Sequence, residues 1–488
     1  MSFASLTSSS VASASQLSAG PYADPNDIRN AFTVAMSAMY RNEVPLYGDL
    51  VRIVRSINEH VIEQRSKSQS ATESANYAAS ERLDLERHGA IRLGTPYELR
   101  TVRRLFAVIG LKPVGYYDLS VAGLPMHATC FRPVDGVALA KNPFRVFTTL
   151  LRPELLRDEE ARNLAASLLD RREIFSPELL ELLDAAEQND NRLNPQQAEK
   201  FVTEAMKTFS WRPVASASES EYRKLVSEHP ILADIASFKS SHINHLTPRT
   251  LDITASQKQM SVEGLKVKDR IEGPPARKCP ILLRQTSFLA LEERIKFRNS
   301  EGSLVEGTHR ARFGEIEERG AAVTTKGRKL YDQLLVAAMD KYRTVSATSK
   351  ATTMDQILAD VFQAYPDDWS ELRKQDLVYC TYHLTQKPRP DTLPLNASLE
   401  SLVSHGFLTA KPITYEDFLP FSAAGIFQSN LKPGSEGESI QKQANMPDQE
   451  GLERALGCPL LSADDLYLRA QTQSIEQCAM GSGWDVRS

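Results

Sequence analysis

The stretch Ala311-Arg-Phe-Gly-Glu-Ile-Glu-Glu-Arg-Gly320 decides how the rest of the chain is read. It has the length and small-residue flanks of a strand, yet five of the eight positions from Arg312 to Arg319 are charged. A strand sends alternate side chains to opposite faces, so Phe313, Glu315 and Glu317 share one face while Gly314, Ile316 and Glu318 share the other. A carboxylate beside Phe313 on a packed face is costly unless a cation or a metal neutralises it. An edge strand with solvated acids is the competing account, and two histidine-bearing segments upstream bear on the choice.

The first is Arg82-Leu-Asp-Leu-Glu-Arg-His88-Gly-Ala-Ile-Arg92-Leu-Gly94, which reads as extended. It ends at Thr95-Pro-Tyr-Glu98, a capping-box pattern with proline at the first helical position, so a helix is expected from there to Gly110. Strand-like pieces follow at Pro113–Leu119, Met126–Val134 and Phe144–Leu151, completing a βαβββ order. The second segment, Ser241-His242-Ile-Asn-His245-Leu-Thr-Pro-Arg249, opens a similar order: a helix over Ser256–Leu265, strands over Cys279–Leu289 and Thr308–Arg319, and a helix from Thr325. The likeness is one of pattern, with no residue-level repeat.

These units organise the chain. A Ser-rich tail, 1–24, is expected to be disordered, and 25–488 to form one α+β domain. Asp24-Pro25 starts a helix to about Arg41, with Ile28, Phe32, Val34, Met36 and Met39 as its apolar stripe, and a second helix follows Pro45. The first module spans about 77–152 and a helical insertion about 153–238. The second module spans about 239–345 and a C-terminal region 346–488.

At 41% hydrophobic and 25% charged residues, the composition is that of a globular protein. A net charge of −4 gives no general affinity for nucleic acid or anionic membrane, and no apolar run is long enough to span a bilayer. The five scattered cysteines include no CxxC, which argues against a thiolate metal site and for a reducing compartment. The first 23 residues lack the arginines of a transit peptide and the apolar core of a secretory signal, so the expected location is the cytoplasm.

Two histidines and one carboxylate on separate elements, with no cysteine, are the ligand set of a non-haem Fe(II) centre. His88, His245 and Glu315 are the candidates. His242 is the alternative to His245; an offset of three on a strand puts the two on opposite faces, so one alone can point at a shared metal. Glu317 is likewise the alternative to Glu315. Arg92, four residues after His88 on the same strand face and about 13 Å away at the backbone, is placed to hold a substrate carboxylate bidentately while the other end of that substrate reaches the metal. That geometry suits a short dicarboxylic acid. The competing reading of Arg92 is a surface arginine on an Arg-rich segment.

Four motifs in order resemble the 2-oxoadipate dioxygenase/decarboxylase family: His88-Gly-Ala-Ile-Arg92; Ile243-Asn-His-Leu-Thr-Pro-Arg249; Phe313-Gly-Glu-Ile-Glu-Glu-Arg-Gly320 followed by Lys326-Gly-Arg-Lys-Leu-Tyr-Asp332; and Phe418-Leu-Pro-Phe-Ser-Ala-Ala-Gly-Ile-Phe427. The resemblance runs from about residue 25 to the C-terminus. It implies a vicinal-oxygen-chelate fold, two βαβββ modules around a metal site with large helical insertions. It implies Fe(II) held by His88, His245 and Glu315, and Arg92 as the catalytic, substrate-binding arginine. The Glu-Ile-x-x-Arg pattern also looks like the metal-binding strand of 4-hydroxyphenylpyruvate dioxygenase, which favours Glu315 over Glu317.

Phe421 and Ser422 fall in the substrate pocket that the resemblance implies. Phe421 departs from the smaller aliphatic residue expected there and would narrow the site. The implied reaction converts 2-oxoadipate and O2 to 2-hydroxyglutarate and CO2, a step of lysine breakdown. A dioxygenase of the same fold acting on another 2-oxo acid and a non-catalytic small-molecule-binding relative are the alternatives.

Overall fold

A computed structural model describes residues 20–68, 80–299, 301–346, 353–387, 398–419 and 447–482. The chain is mixed α and β and divides into two compact units. One holds the described residues to Asp269, Gln285–Glu317 and those within Pro420–Leu460. The other holds Arg270–Arg284, Glu318–Leu419 and the described residues from Leu461.

The first unit is built on a five-stranded sheet in the order β2-β3-β4-β1-β5. Its strands are β1 (Arg87–Leu93), β2 (Lys112–Asp118), β3 (Met126–Arg132), β4 (Arg145–Leu151) and β5 (His245–Pro248). β1 runs parallel to β4 and antiparallel to β5. From β1 the helix Pro96–Val108 and then β2, β3 and β4 follow in the expected sequence, but a short helix, Gly136–Lys141, intervenes between β3 and β4. Thr95 caps the helix Pro96–Val108 by accepting from Glu98 N. The capping box closes differently: the Glu98 carboxylate accepts from Gly94 N at 2.7 Å and from Arg172 Nε at 2.8 Å.

Alternation along the strands sorts the two faces of this sheet. One face carries Gly89, Ile91 and Leu93 of β1 with Val146 and Phe131 beside them. Phe106 packs there on Phe131 and stacks on Phe209, which meets Phe32 of the helix Pro25–Glu43. On that helix Ile28, Phe32 and Met36 are buried as expected, with Tyr40, whereas Val34 is exposed and so leaves the expected apolar stripe. The opposite sheet face carries His88, Ala90 and Arg92, with His245 paired to Ala90 and Thr247 paired to His88.

The expected helical block is present as five helices, Glu159–Asp170, Pro177–Glu187, Pro195–Phe209, Glu219–Glu228 and Pro230–Ala236. In the second half the elements shift or divide. The helix expected over 256–265 lies at Ile253–Val262, and the strand expected over 279–289 shortens to β6 (Leu283–Ser287). The single strand expected over 308–319 is two: β8 (Leu304–His309), paired with β7 (Glu293–Arg298), and β9 (Glu315–Arg319), paired with β6.

The quoted stretch is thus strand only in its second half, and its first half turns for identifiable reasons. Arg312 is drawn inward by Glu43 and Glu293, both at 2.5 Å. Gly314 lies so close to Phe288 that an added Cβ would stand 2.2 Å from the ring.

The second unit contains the helix Thr325–Ser346 and a two-stranded ladder of β10 (Cys380–Leu384) and β11 (Leu408–Pro412), against which the helix Ala463–Ser482 packs. Among the described residues no helix is long and apolar enough to cross a membrane, and all five cysteines are free.

Candidate metal centre

β1 and β5 bring His88 and His245 together, with ring centroids 5.4 Å apart and nearly perpendicular. The loop before β5 comes close because residue 89 is glycine: an added Cβ would stand 2.6 Å from Ile243 Cδ1. β9 runs beside the end of the β5 segment, with Thr250 N donating to Glu317 O at 2.8 Å and Phe313 N to Asn244 O at 3.1 Å. The Glu315 and Glu317 carboxylates consequently face the histidines.

His88 Nε2 lies 2.9 Å and His245 Nε2 3.9 Å from Glu315 Oε1, and one ligand atom from each residue falls within 4.8 Å of the others. Ligand atoms that share a metal at 2.0–2.2 Å stand roughly 3 to 4 Å apart. Glu315 and Glu317 are both fully buried, which overturns the solvated edge-strand account.

The two alternative ligands occupy different places. Glu317 Oε2 sits 2.9 Å from His88 Nδ1, the ring nitrogen turned away from Glu315. An ionised carboxylate only accepts, and each ring nitrogen of His88 faces one, so a proton sits on both; a metal beside Glu315 would displace the one on Nε2 while Glu317 keeps the one on Nδ1. A carboxylate behind a ligating histidine orients the ring and raises its basicity. Glu317 therefore backs His88 and does not compete with Glu315. His242 points elsewhere, to Asp234 Oδ1 at 3.1 Å, and forms a separate buried group with Asp234 and His309.

Glu315 is unusual among the buried acids of this unit. Glu86 is met by Arg145 at 3.0 Å and Arg249 at 3.2 Å, and Glu98 by Arg172. Among the described residues Glu315 has no arginine or lysine within ion-pair distance. Its Oε1 accepts from Gln285 Nε2 at 2.8 Å and Thr247 Oγ1 at 3.1 Å, and Oε2 meets no donor. A buried carboxylate oxygen without a partner calls for a cation. With two imidazole nitrogens beside it and no thiolate, the donor set fits a divalent first-row metal.

The electrostatics agree. Burial alone would push the Glu315 carboxyl up, but His245 and His88 outweigh it and hold it below the usual range. Burial likewise opposes a charge on His88, yet Glu317 and Glu315 raise it. His245 is pushed down to about 4, chiefly by burial, and is neutral at pH 7, as a metal ligand must be. Burial would also raise Glu86, but Arg249, Arg145 and Arg82 hold it at about 2. Arg145 reaches on to Glu317 Oε1 at 3.8 Å, so the carboxylate behind His88 has its own counter-charge.

Arg92 is buried on the same strand face as His88, which removes the surface reading, and its guanidinium is paired with Asp234. Phe421 and Ser422 lie outside the described residues. Sequence reasoning missed Asp234 and His309 as members of the site's surroundings. The one available signal was Asp234 itself, the single polar residue of the otherwise apolar Pro230-Ile-Leu-Ala-Asp-Ile-Ala236. Thr247 and Gln285 carried no signal, because what they do depends on a strand pairing that spacing does not reveal.

A mixed sheet with a buried two-histidine, one-carboxylate cluster on one face defines a candidate mononuclear metal enzyme. The sequence profile of 2-oxoadipate dioxygenase/decarboxylase matches residues 32–430, and the chain belongs to that family. A 2-oxoadipate dioxygenase/decarboxylase of Escherichia coli K12 is 46% identical over 93% of this chain and 98% of its own length. That of Pseudomonas putida is 45% identical over 94% and 98%. The crystal structure of the P. putida hydroxyglutarate synthase in complex with 2-oxoadipate superposes with a TM-score of 0.82 at 42% identity, covering 96% of this chain and all of the other.

Proposed function

We propose that this chain is an Fe(II)-dependent dioxygenase that converts 2-oxoadipate and O2 to 2-hydroxyglutarate and CO2, in lysine breakdown. The observation that carries the reading is Glu315, a buried carboxylate whose Oε2 has no donor and whose other oxygen stands beside His88 and His245. Membership of the family supports the same substrate and reaction. Fe(II) bound by His88, His245 and Glu315 would supply a template for the 2-oxo acid and a site for O2.

The chain's own residues do the rest. Arg92 receives the far carboxylate of the diacid, and its place on β1 relative to His88 sets the length of substrate that fits. Glu317 holds the His88 ring, and Thr247 and Gln285 hold Glu315, so the ligand atoms are in place before substrate arrives. The near-complete burial of His88, His245 and Arg92 keeps water from the reacting end.

We also read the elements as a vicinal-oxygen-chelate core, with the first module about 77–152, the second about 239–345, the helical insertion 153–238 between them, and all of 25–488 as a single dioxygenase domain. Phe421 and Ser422 are proposed to line the pocket at the substrate chain.

Metal analysis of alanine variants tests the site. His88→Ala, His245→Ala and Glu315→Ala are each expected to lose bound iron, and Arg92→Ala to keep it while weakening 2-oxoadipate binding. Full iron retention in Glu315→Ala would overturn the ligand assignment.

A further inference from the structure

Arg92 does not stand alone behind the metal centre. Its guanidinium meets Asp234 Oδ2, and Asp234 is itself locked. Asp234 Oδ1 accepts from His309 Nε2 at 2.8 Å and stands 3.1 Å from His242 Nε2, while Asn244 Nδ2 lies 3.5 Å from Oδ2. His309 Nδ1 is 2.8 Å from the Tyr222 hydroxyl. Nε2 donates to the carboxylate and Nδ1 meets a hydroxyl that can give or take a hydrogen bond, so both ring nitrogens are partnered.

Aromatic rings close the group off from water. Trp211 stacks on His309 at 5.8 Å and meets His242 edge-on at 4.5 Å, and Phe238 lies 4.9 Å from His309. Asp234, His242 and His309 are all at most 4% exposed.

We infer that Asp234, held by His309 and flanked by His242, is the positioning residue that fixes Arg92 and thereby makes the enzyme select a 2-oxo diacid over a 2-oxo monoacid. This rests on the reading of Arg92 given above. A long side chain free to rotate would lose conformational freedom each time it captured a carboxylate. An arginine whose Nη1 is already committed to Asp234 has lost part of that freedom in advance, and its planar fork keeps a fixed direction. The pieces come from five places in the chain: β1, the helices Glu219–Glu228 and Pro230–Ala236, the segment before β5, and β8. Arg92 is therefore set by the packing of the whole unit and not by its own strand alone. The same two histidines and aspartate also have the composition of a metal site, but Arg92 already supplies the positive charge on Asp234, and the hydrogen bonds account for His309 on both ring nitrogens.

The test uses iron-loaded full-length enzyme with 2-oxoadipate and with 2-oxohexanoate, which lacks the far carboxylate. Asp234→Asn is expected to raise KM for 2-oxoadipate by roughly tenfold or more, to leave kcat/KM for 2-oxohexanoate unchanged, and to keep one iron per chain. Tyr222→Phe, a milder change at the edge of the network, is expected to raise the same KM by about two- to fivefold. Equal losses on both substrates, lost iron, or unchanged KM in both variants would overturn the inference. A second metal equivalent in the wild type that disappears in His309→Ala would also overturn it, making the cluster a metal site. If Arg92→Ala weakens 2-oxoadipate binding and Asp234→Asn does not, the positioning role alone fails. If Arg92→Ala has no effect, the underlying reading of Arg92 fails with it.

Discussion

Glu317 Oε2 stands 2.9 Å from His88 Nδ1, on the side of the ring opposite Glu315. Two acids that share one strand face thus serve one histidine from its two nitrogens. Glu317→Gln keeps the volume but can no longer hold the protonated nitrogen as a charged acceptor. Iron affinity is expected to fall by about 10- to 100-fold, with the site still formed. Competition against a graded series of chelators measures this, and affinity equal to wild type would remove Glu317 from the centre.

Arg145 is fully buried between Glu86 and Glu317. Arg145→Met takes the counter-charge from Glu317, while Glu86 keeps Arg249 and Arg82. The expected cost is about 3–5 kcal/mol of folding stability, the range for breaking a buried ion pair on one side. Denaturant unfolding reads it directly. A loss below 1 kcal/mol would mean that water or a neighbouring cation already screens the pair.

Gly320 closes the motif from which the chain was read. A Cβ there would stand 2.3 Å from Pro280 C and 2.4 Å from Ile281 N, backbone atoms that cannot swing aside. At Gly89 the nearest atom is the flexible tip of Ile243. Gly320→Ala is therefore expected to destabilise by about 2–3 kcal/mol and Gly89→Ala by less. Equal melting temperatures for the two variants would contradict this.

His127 is buried, and burial first, then Arg152, pushes its pKa down to about 4 from the usual 6.5. Because the folded value is depressed, protons bind the unfolded chain more readily. Stability from this site is complete above pH 6.5 and is lost as pH falls towards 4. Between pH 7 and 5 the loss is on the order of 2 kcal/mol. His127→Phe, which keeps a ring against Tyr116, is expected to lessen the drop in melting temperature over that range. An unchanged drop would place the acid sensitivity elsewhere.

Much of this was legible in the sequence where the signal was local. Thr95-Pro96 marked the start of a helix, and the alternation around His88 and Arg92 put both on one strand face, which the structure shows. The residue types pointed to a two-histidine, one-carboxylate site, but nine histidines and 62 acids leave many such sets, and it was the family resemblance that favoured His88, His245 and Glu315. Illegible were relations that only pairing creates. Both Glu315 and Glu317 face His88, and which of them also reaches His245 depended on where β9 begins, which Arg312 and Gly314 set through contacts with Glu43, Glu293 and Phe288. Asp234 and His309 meet across 75 residues. No spacing rule connects a helix residue to a strand residue at that distance.

The most direct test of the account is O2 uptake by iron-reconstituted protein given 2-oxoadipate, with the product mass determined in the same sample. The expected result is one O2 consumed for each 2-hydroxyglutarate formed. No uptake with 2-oxoadipate despite bound iron would contradict it.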